Sequence, residues 1–309
     1  MELLTDITDY QSSHDRVLTV GTFDGVHLGH QKIIEAIIES AKKRNLKSTV
    51  VTFDPHPKEV ISTPDGTDKI ELLTTLEEKL AALSKFDIDT VIVIQFTMEF
   101  SRTDPDAFVT DILCKKFKAK EIIVGYDHNF GKDRSGNHKT LLSLGEKCGF
   151  SVKMVGPFDL MDGAVSSTRI RKLLSGEGDV ETASKLLSRL YSITGSVVKG
   201  EGRGRKINFP TANIKLHNDS KVIPKNGVYC VNVLRDGKSQ KGMCNIGFRP
   251  TFDGSDRTIE AHILSDDLGD LYGEEISLEY ISRLRDEFRF NSSEELIKQL
   301  QKDKLACSI

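Results

Sequence analysis

In the stretch Val17-Leu-Thr-Val-Gly-Thr-Phe-Asp-Gly-Val-His-Leu-Gly-His-Gln31, two imidazoles, His27 and His30, stand three residues apart with Gly29 between them. β-Favouring residues precede a break at Gly21 and Gly25, and an amphipathic run follows, so the segment reads as strand, glycine turn and helix start. Backbone N–H groups at a helix N-terminus point outward with partial positive charge, and glycines let an anion approach the backbone closely. Side chains three apart share one side of such a turn. This chemistry suits the splitting of a nucleoside triphosphate. On residue types alone, surface or capping histidines fit as well. A zinc pair does not, because no third and fourth ligand stands nearby at workable spacing.

Further segments carry groups of the same kind. Val51-Thr-Phe-Asp-Pro-His-Pro57 leaves a strand into a Pro-x-Pro loop bearing Phe53 and His56, which reads either as a ligand border or as a stiff turn. Ile122-Ile-Val-Gly-Tyr-Asp-His-Asn-Phe-Gly131 is another strand followed by a glycine-punctuated polar loop. Ser166-Ser-Thr-Arg-Ile-Arg171 opens a helix with Ser167 and Arg171 at i and i+4. Its hydroxyls, free N–H groups and guanidinium can surround one anion, although Ser-Ser-Thr also serves as a plain helix cap.

Lys199-Gly-Glu-Gly-Arg-Gly-Arg-Lys-Ile-Asn-Phe-Pro-Thr-Ala-Asn213 alternates glycines with Arg203, Arg205 and Lys206. It reads as a flexible basic loop suited to a polyphosphate, or as a basic turn without a ligand. It has neither the Gly-Lys-Ser/Thr of a Walker A loop nor dinucleotide spacing. Thr211 and Asn213 are alternate residues, so in an extended segment both oxygens can meet one hard cation. In Thr258-Ile-Glu-Ala-His-Ile-Leu264, Glu260 and His262 share a strand face opposite Ile259, Ala261 and Ile263. A carboxylate placed there either faces solvent or accepts a proton from a hydroxyl.

These groups must be positioned by alternating elements. Strand-like Val17–Val20 precedes helix-like Gln31–Lys43, then strand 48–53, helix 76–83 and strand 90–96. A helix over 105–117 opens with Asp104 as cap and Pro105 at its first position, and strands follow at 121–125 and 151–155. Short, nearly continuous apolar strands alternating with helices predict a parallel sheet covered on both faces. From Tyr191 onward the pattern changes to short alternating strands at 193–198, 227–234, 242–246, 259–264 and 275–284, with turn residues between. A last helix covers 293–302, with Leu296, Ile297 and Leu300 on one face. This half predicts a small antiparallel β-barrel with a terminal helix.

Composition sets outer bounds. The chain has 309 residues, 38% hydrophobic and 29% charged, which fits an ordinary soluble protein of one large domain or, more comfortably, two of ordinary size. No run approaches the ~18 apolar residues of a membrane span, and Met1-Glu-Leu-Leu-Thr-Asp-Ile carries no export signal, so a cytoplasmic setting is expected. The net charge of −3 argues against general nucleic-acid binding. The five cysteines are dispersed, with no Cys-x-x-Cys, and read as reduced thiols rather than a disulfide frame or metal site.

The string Gly-Thr-Phe-Asp-Gly-Val-His-Leu-Gly-His resembles the His-x-Gly-His signature of nucleotidyltransferases, and its Phe-Asp-Gly lead-in is similar to the flavin adenylyltransferase branch. Gly-Arg-Gly-Arg followed by Phe-Pro-Thr-Ala-Asn resembles the riboflavin kinase motif. Cys244-Asn-Ile-Gly-Phe-Arg-Pro-Thr-Phe252, Leu271-Tyr-Gly-Glu and Leu284-Arg-Asp-Glu-Phe-Arg-Phe290 fit that family too. With motifs in both halves, the chain resembles bifunctional riboflavin kinase/FAD synthetase over nearly its whole length.

The resemblance implies a Rossmann-like nucleotidyltransferase domain over 1–186 and a riboflavin kinase domain over 187–309. In the first, His27 and His30 are implied as catalytic, with Gly21, Phe23, Gly29, His30, Ser167, Thr168 and Arg171 on ATP. Phe53, Pro55, His56, Pro57 and Asp127 are implied to border the flavin. A departure is His128, where many relatives carry an aromatic. In the second, Glu260 is implied as the base and Gly202, Gly204, Arg205 and Thr211 as ATP contacts. Thr211 and Asn213 are implied as metal ligands, and Arg285 and Glu287 as flavin contacts.

The implied reactions are riboflavin and ATP to FMN and ADP, then FMN and ATP to FAD and pyrophosphate, with Mg²⁺ accompanying ATP. The phosphate of FMN arrives as an anion, so the transferase needs charge stabilisation rather than a strong base, and no covalent intermediate on the protein is expected. The ribityl hydroxyl is neutral and calls for a base. Expected partners are ATP, riboflavin and FMN, without nucleic acid or membrane; a weak homo-oligomer is left open. The rivals are a flavin-binding regulator without catalysis and a nucleotidyltransferase acting on another phosphorylated vitamin.

Overall fold

The computed structural model describes residues 1–61, 70–126, 129–132, 135–200, 202, 204–251, 254–265 and 270–308, apart from the side chains at 205, 206, 249–251 and 254–256. Two compact units emerge, Met1–Ser167 and Thr168–Ile309.

The first unit is a six-stranded parallel sheet of order β1-β4-β3-β2-β5-β6. Its strands are β1 (Glu2–Leu4), β2 (Arg16–Val20), β3 (Lys47–Asp54), β4 (Thr90–Gln95), β5 (Ala119–Gly125) and β6 (Ser151–Val155). Helices α1 (Leu28–Arg44), α2 (Pro57–Ile61), α3 (Leu76–Leu83), α4 (Pro105–Ala107) and α5 (His138–Cys148) lie between them, and α4 runs on as a π-helix over Phe108–Lys116. Successive strand residues point to opposite faces, which gives the sheet two cores. Leu18, Val51, Ile92, Ile94, Ile122 and Val124 pack with Phe108, Leu113 and Leu141 on one face. Val17, Val50, Val91, Val93 and Ile123 pack with Ile34, Ile37 and Leu83 on the other. Sequence order reverses at β2, whose neighbours are β3 and β5. Ligands of open α/β sheets bind beyond the carboxyl ends of strands at such a reversal. The β2–α1 turn, which carries both histidines, leaves the sheet there.

The second unit opens with α6 (Ser167–Arg171), which begins at the last residue of the first and continues as a π-helix over Lys172–Glu177, followed by α7 (Val180–Leu187). A closed barrel follows, of order β10-β11-β8-β7-β12-β9. Its strands are β7 (Tyr191–Val198), β8 (Ala212–Leu216), β9 (Gly227–Arg235), β10 (Lys238–Thr251), β11 (Gly254–Ile263) and β12 (Glu275–Arg285). All its pairings are antiparallel. Tyr191, Tyr229 and Tyr280 are buried in it, with Tyr229 edge-on to Tyr280 at 5.3 Å between centroids. Helix α8 (Ser293–Cys307) closes the chain and packs on β9 and β10. No helix among the described residues is long and apolar enough to cross a membrane.

The cysteine expectation needs correcting. Cys230 on β9 and Cys307 on α8 form a disulfide, while Cys114, Cys148 and Cys244 are free. The partners are 77 residues apart, and the packing of α8 on β9 brings their Cα atoms to 5.2 Å. Nothing in their spacing along the chain signals the pair.

Candidate active site

The β2–α1 turn is bent by Phe23, Gly25 and Val26, all at positive φ (48°, 85° and 41°). A β-branched residue in that region is strained, and such strain persists only where the surroundings enforce it. Here Asp24 supplies much of the enforcement. Buried at 2% exposure, its carboxylate accepts the Leu73 and Thr74 amides and the Thr74 hydroxyl at 3.0–3.2 Å, and the Thr74 hydroxyl in turn accepts Gly25 N–H at 3.0 Å. Ser167 closes the turn from the other side, its hydroxyl donating to Asp24 O at 2.8 Å.

The two histidines divide the roles left open by their residue type. His27 is the N-cap of α1, its Nδ1 accepting the His30 amide at 3.3 Å. His30 stacks on His27 with ring centroids 3.6 Å apart, meets Phe23 edge-on at 5.1 Å, and keeps a buried Nδ1 without a hydrogen-bond partner. Burial, then the nearby His27 and Lys79, hold the His30 pKa well below the ordinary imidazole value, so the ring is neutral at neutral pH. Gly29 packs closely: a Cβ there would lie 3.2 Å from the His27 ring and 3.3 Å from Val165 O. The Leu28 and Gly29 amides have no partner among the described residues, so the positive end of a 17-residue helix opens beside His30.

The other residues expected here are placed as follows. Phe53, at the end of β3, meets Phe96 at 5.6 Å and Phe100 at 6.1 Å between centroids. The Asp54–Pro55 peptide is cis, and Pro57 starts α2. The His56 amide donates to Glu59 Oε2 at 2.9 Å, and its Nδ1 accepts Lys58 N–H at 3.1 Å. Thr168 and Arg171 follow Ser167 on α6, in the second compact unit. Asp127 and His128 lie outside the described residues. Sequence reading passed over Lys79, Phe96 and Phe100. The two phenylalanines fall just after an apolar strand and carry no motif; Lys79 is a lone lysine on a short helix.

In the barrel, Glu260 pairs across the ladder with Asn213 of β8 and Asn245 of β10, which sets the three on one face. Thr211, just ahead of β8, donates its hydroxyl to Glu260 Oε2 at 3.3 Å. Asn245 Nδ2 donates to Glu287 Oε1 at 3.1 Å, so five groups from separate strands and loops are brought together. Asn245 was not singled out from the sequence; its register opposite Glu260 is what reveals it. The buried His262, on the same strand face as Glu260, meets Pro210 O at 2.7 Å through Nδ1 and packs on Phe209, and burial lowers its pKa. Arg285 reaches Asp303 of α8 through Nε and Nη2 at 2.7–3.3 Å and stacks over Phe288 at 4.6 Å.

The glycine-rich segment folds back on itself. Phe209 N–H donates to Gly204 O at 2.9 Å, and a Cβ at Gly204 would sit 2.2 Å from Phe209 O. At Gly200 a Cβ would sit 2.2 Å from Asn213 Nδ2, so the backbone there presses on that amide. Gly202 has φ +66°. Arg203 and the side chain of Arg205 lie outside the described residues. Among the described residues no cluster of three or more His, Cys, Asp or Glu is arranged to hold a metal. Thr211 and Asn213 instead offer neutral oxygens beside one carboxylate, a donor set that suits a hard cation taking its other ligands from phosphate and water.

Comparison with known proteins matches both units. The FAD synthetase family model covers residues 9–169 and the riboflavin kinase model residues 187–308. A bifunctional riboflavin kinase/FMN adenylyltransferase of Listeria monocytogenes is 38% identical over 96% of this chain and 92% of its own length. Those of Escherichia coli K12 (38%, covering 94% and 90%) and Bacillus subtilis (37%, covering 93% and 90%) are similarly close. A crystal structure described as a macrolide-efflux protein from Streptococcus pneumoniae has a TM-score of 0.88 at 29% identity, covering 100% of this chain and 99% of that one. Efflux is said of that protein; the likeness carries the fold.

Proposed function

The chain belongs to the bifunctional riboflavin kinase/FMN adenylyltransferase family, and from that premise we propose that its two reactions run on two separate sets of groups, around His30 in the first unit and around Glu260 in the barrel. It phosphorylates riboflavin to FMN and adenylylates FMN to FAD. The orphaned Nδ1 of His30 at the open end of α1 carries the first assignment. The convergence of Thr211, Asn213 and Asn245 on Glu260, with Glu287 bonded to Asn245, supports the second.

In adenylyl transfer an FMN phosphate oxygen bonds to the α-phosphorus of ATP and pyrophosphate leaves. Both attacking and departing groups are anions, so the protein's task is to offset charge in the transition state. The Leu28 and Gly29 amides and the α1 dipole do this without titrating. A neutral His30 adds a directed donor or acceptor and gains stabilising power if it takes up a proton as charge builds. Ser167, Thr168 and Arg171 extend the phosphate contacts, with Gly21 and Phe23 beneath the nucleotide. Phe53, Pro55, His56, Pro57 and Asp127 border the flavin. No covalent enzyme intermediate is required.

In the kinase, Glu260 accepts the proton of the ribityl hydroxyl as that oxygen bonds to the γ-phosphorus and ADP leaves. Gly202, Gly204 and Arg205 bind the polyphosphate, while Arg285 and Glu287 stand on the flavin side. Mg²⁺ would be held by Thr211 and Asn213 and would neutralise phosphate charge there. Product analysis by chromatography after mixing the protein with riboflavin, ATP and Mg²⁺ tests this reading. FMN followed by FAD is expected; tight flavin binding with neither product would sink it.

A further inference from the structure

Lys79 lies on α3, away from every motif named above, yet its ammonium is linked to the histidine turn through Thr52. Its side chain is buried at 4% exposure. Nζ donates to Phe53 O at 3.1 Å and Thr52 Oγ1 at 3.3 Å, and Thr52 Oγ1 itself reaches Thr22 O at 3.1 Å. One ammonium thus joins the end of β3, where the flavin-bordering loop begins, to the β2–α1 turn. Both bonds go to neutral oxygens, and among the described residues no carboxylate comes within the 4.0 Å of an ion pair. An ammonium has three donors, and only two are used among the described residues. A buried charge held this way is costly, and a lysine serving packing alone would be better replaced by an apolar residue.

We propose that Lys79 is a positioning residue for FMN adenylylation: its buried ammonium ties the Thr52–Phe53 segment to the histidine turn and so fixes the start of the flavin-bordering loop relative to His30. This inference rests on the assignment of His30 to the transferase site.

The charged and titratable groups around it are few. Asp24 on the β2–α1 turn, Asp54 on β3 and Glu59 on α2 face the ammonium, Glu77 on its own helix faces Asp54, and His27 stacks on His30. Burial lowers the Lys79 pKa against the pull of the three carboxylates, and the Lys79 charge in turn lowers that of His30. Burial raises the Asp54 pKa, with Lys79 opposing it. Removing the ammonium therefore moves the His30 titration upward in pH.

The test compares Lys79→Gln, which keeps a donor without charge, with Lys79→Arg, which keeps the charge, in the full-length protein. For Lys79→Gln, kcat for FMN to FAD should fall about 10- to 100-fold, with KM for FMN and ATP changed far less. The His30 resonance, followed by NMR, should titrate at higher pH than in wild type. Lys79→Arg should restore both in large part, and riboflavin to FMN should be unchanged in each variant. If Gln at this position prevents folding, Lys79→Met is read in the same way. A His30 titration and a kcat that both stay at wild-type values in the uncharged variant overturn the proposal. If His30→Ala retains wild-type FAD formation, the site assignment itself has failed; if His30→Ala loses FAD formation while Lys79→Gln keeps the wild-type kcat and His30 titration, only the role of Lys79 is lost.

Discussion

His30 and Glu260 are single groups to which opposite consequences can be attached. His30→Ala should cut FAD formation from FMN by about 100- to 1,000-fold while leaving FMN formation intact. Glu260→Ala should cut FMN formation from riboflavin by about 100- to 10,000-fold and spare adenylylation of supplied FMN. Assaying each step with its own substrate checks this; equal loss of both in either variant would reject the two-site assignment. His30 also leaves a mark on stability. Its pKa in the folded chain is well below the ordinary 6.5, so between those values the unfolded chain binds more protons. The His30 contribution to stability then declines as pH falls from about 7 to 5. Urea midpoints across that range should fall less steeply for His30→Gln than for wild type. The buried His262, whose pKa is lowered too, contributes in the same direction in both proteins and cancels in the comparison.

At the level of strands and helices, two tethers stand out. Asp24 holds Leu73 and Thr74 against the β2–α1 turn through buried charge-assisted bonds. Asp24→Ala strands those amides and should cost about 3 kcal/mol, measured by urea unfolding, and depress FAD formation through the loosened turn. The second tether is the Cys230–Cys307 bond between β9 and α8. Protein unfolded without reductant should titrate three thiols, and five after reduction. Cys307→Ser should lower stability by up to about 4 kcal/mol through the freed chain entropy. The elements themselves were largely written in apolar periodicity. The helix read over 76–83 has the limits Leu76–Leu83, and the strand over 151–155 has the limits Ser151–Val155. The misses have physical causes. Strand β1 is three residues long, too short to show a period, and β8 sits inside a glycine-rich motif that reads as a loop. The segment 105–117 is helical as read, and beyond Ala107 it widens into a π-helix, a hydrogen-bond choice that apolar spacing does not encode.

For the complete chain, separate chemistry implies that one product serves as the other's substrate in solution. His30→Ala and Glu260→Ala proteins should each fail to make FAD from riboflavin and ATP. Mixed together they should succeed, because FMN released by the first can be adenylylated by the second. FAD absent from the mixture, with both single steps active on supplied substrates, would show that FMN does not leave the protein that makes it.

The kinds of chemistry were legible from residue order alone. Glycine placement, the histidine spacing and Phe-Pro-Thr-Ala-Asn depend on local backbone geometry, which neighbours along the chain dictate. So do the alternation that builds two sheet faces and the change of period near Tyr191. What only tertiary packing decided are relations between distant segments: Lys79 bonded to Phe53 at the end of β3, Asn245 beside Glu260, Arg285 against Asp303, and Cys230 joined to Cys307. Such pairs arise when a parallel sheet and a closed barrel bring remote strands together. Strand register and helix docking then set the distances, and neither is carried by any short stretch of sequence.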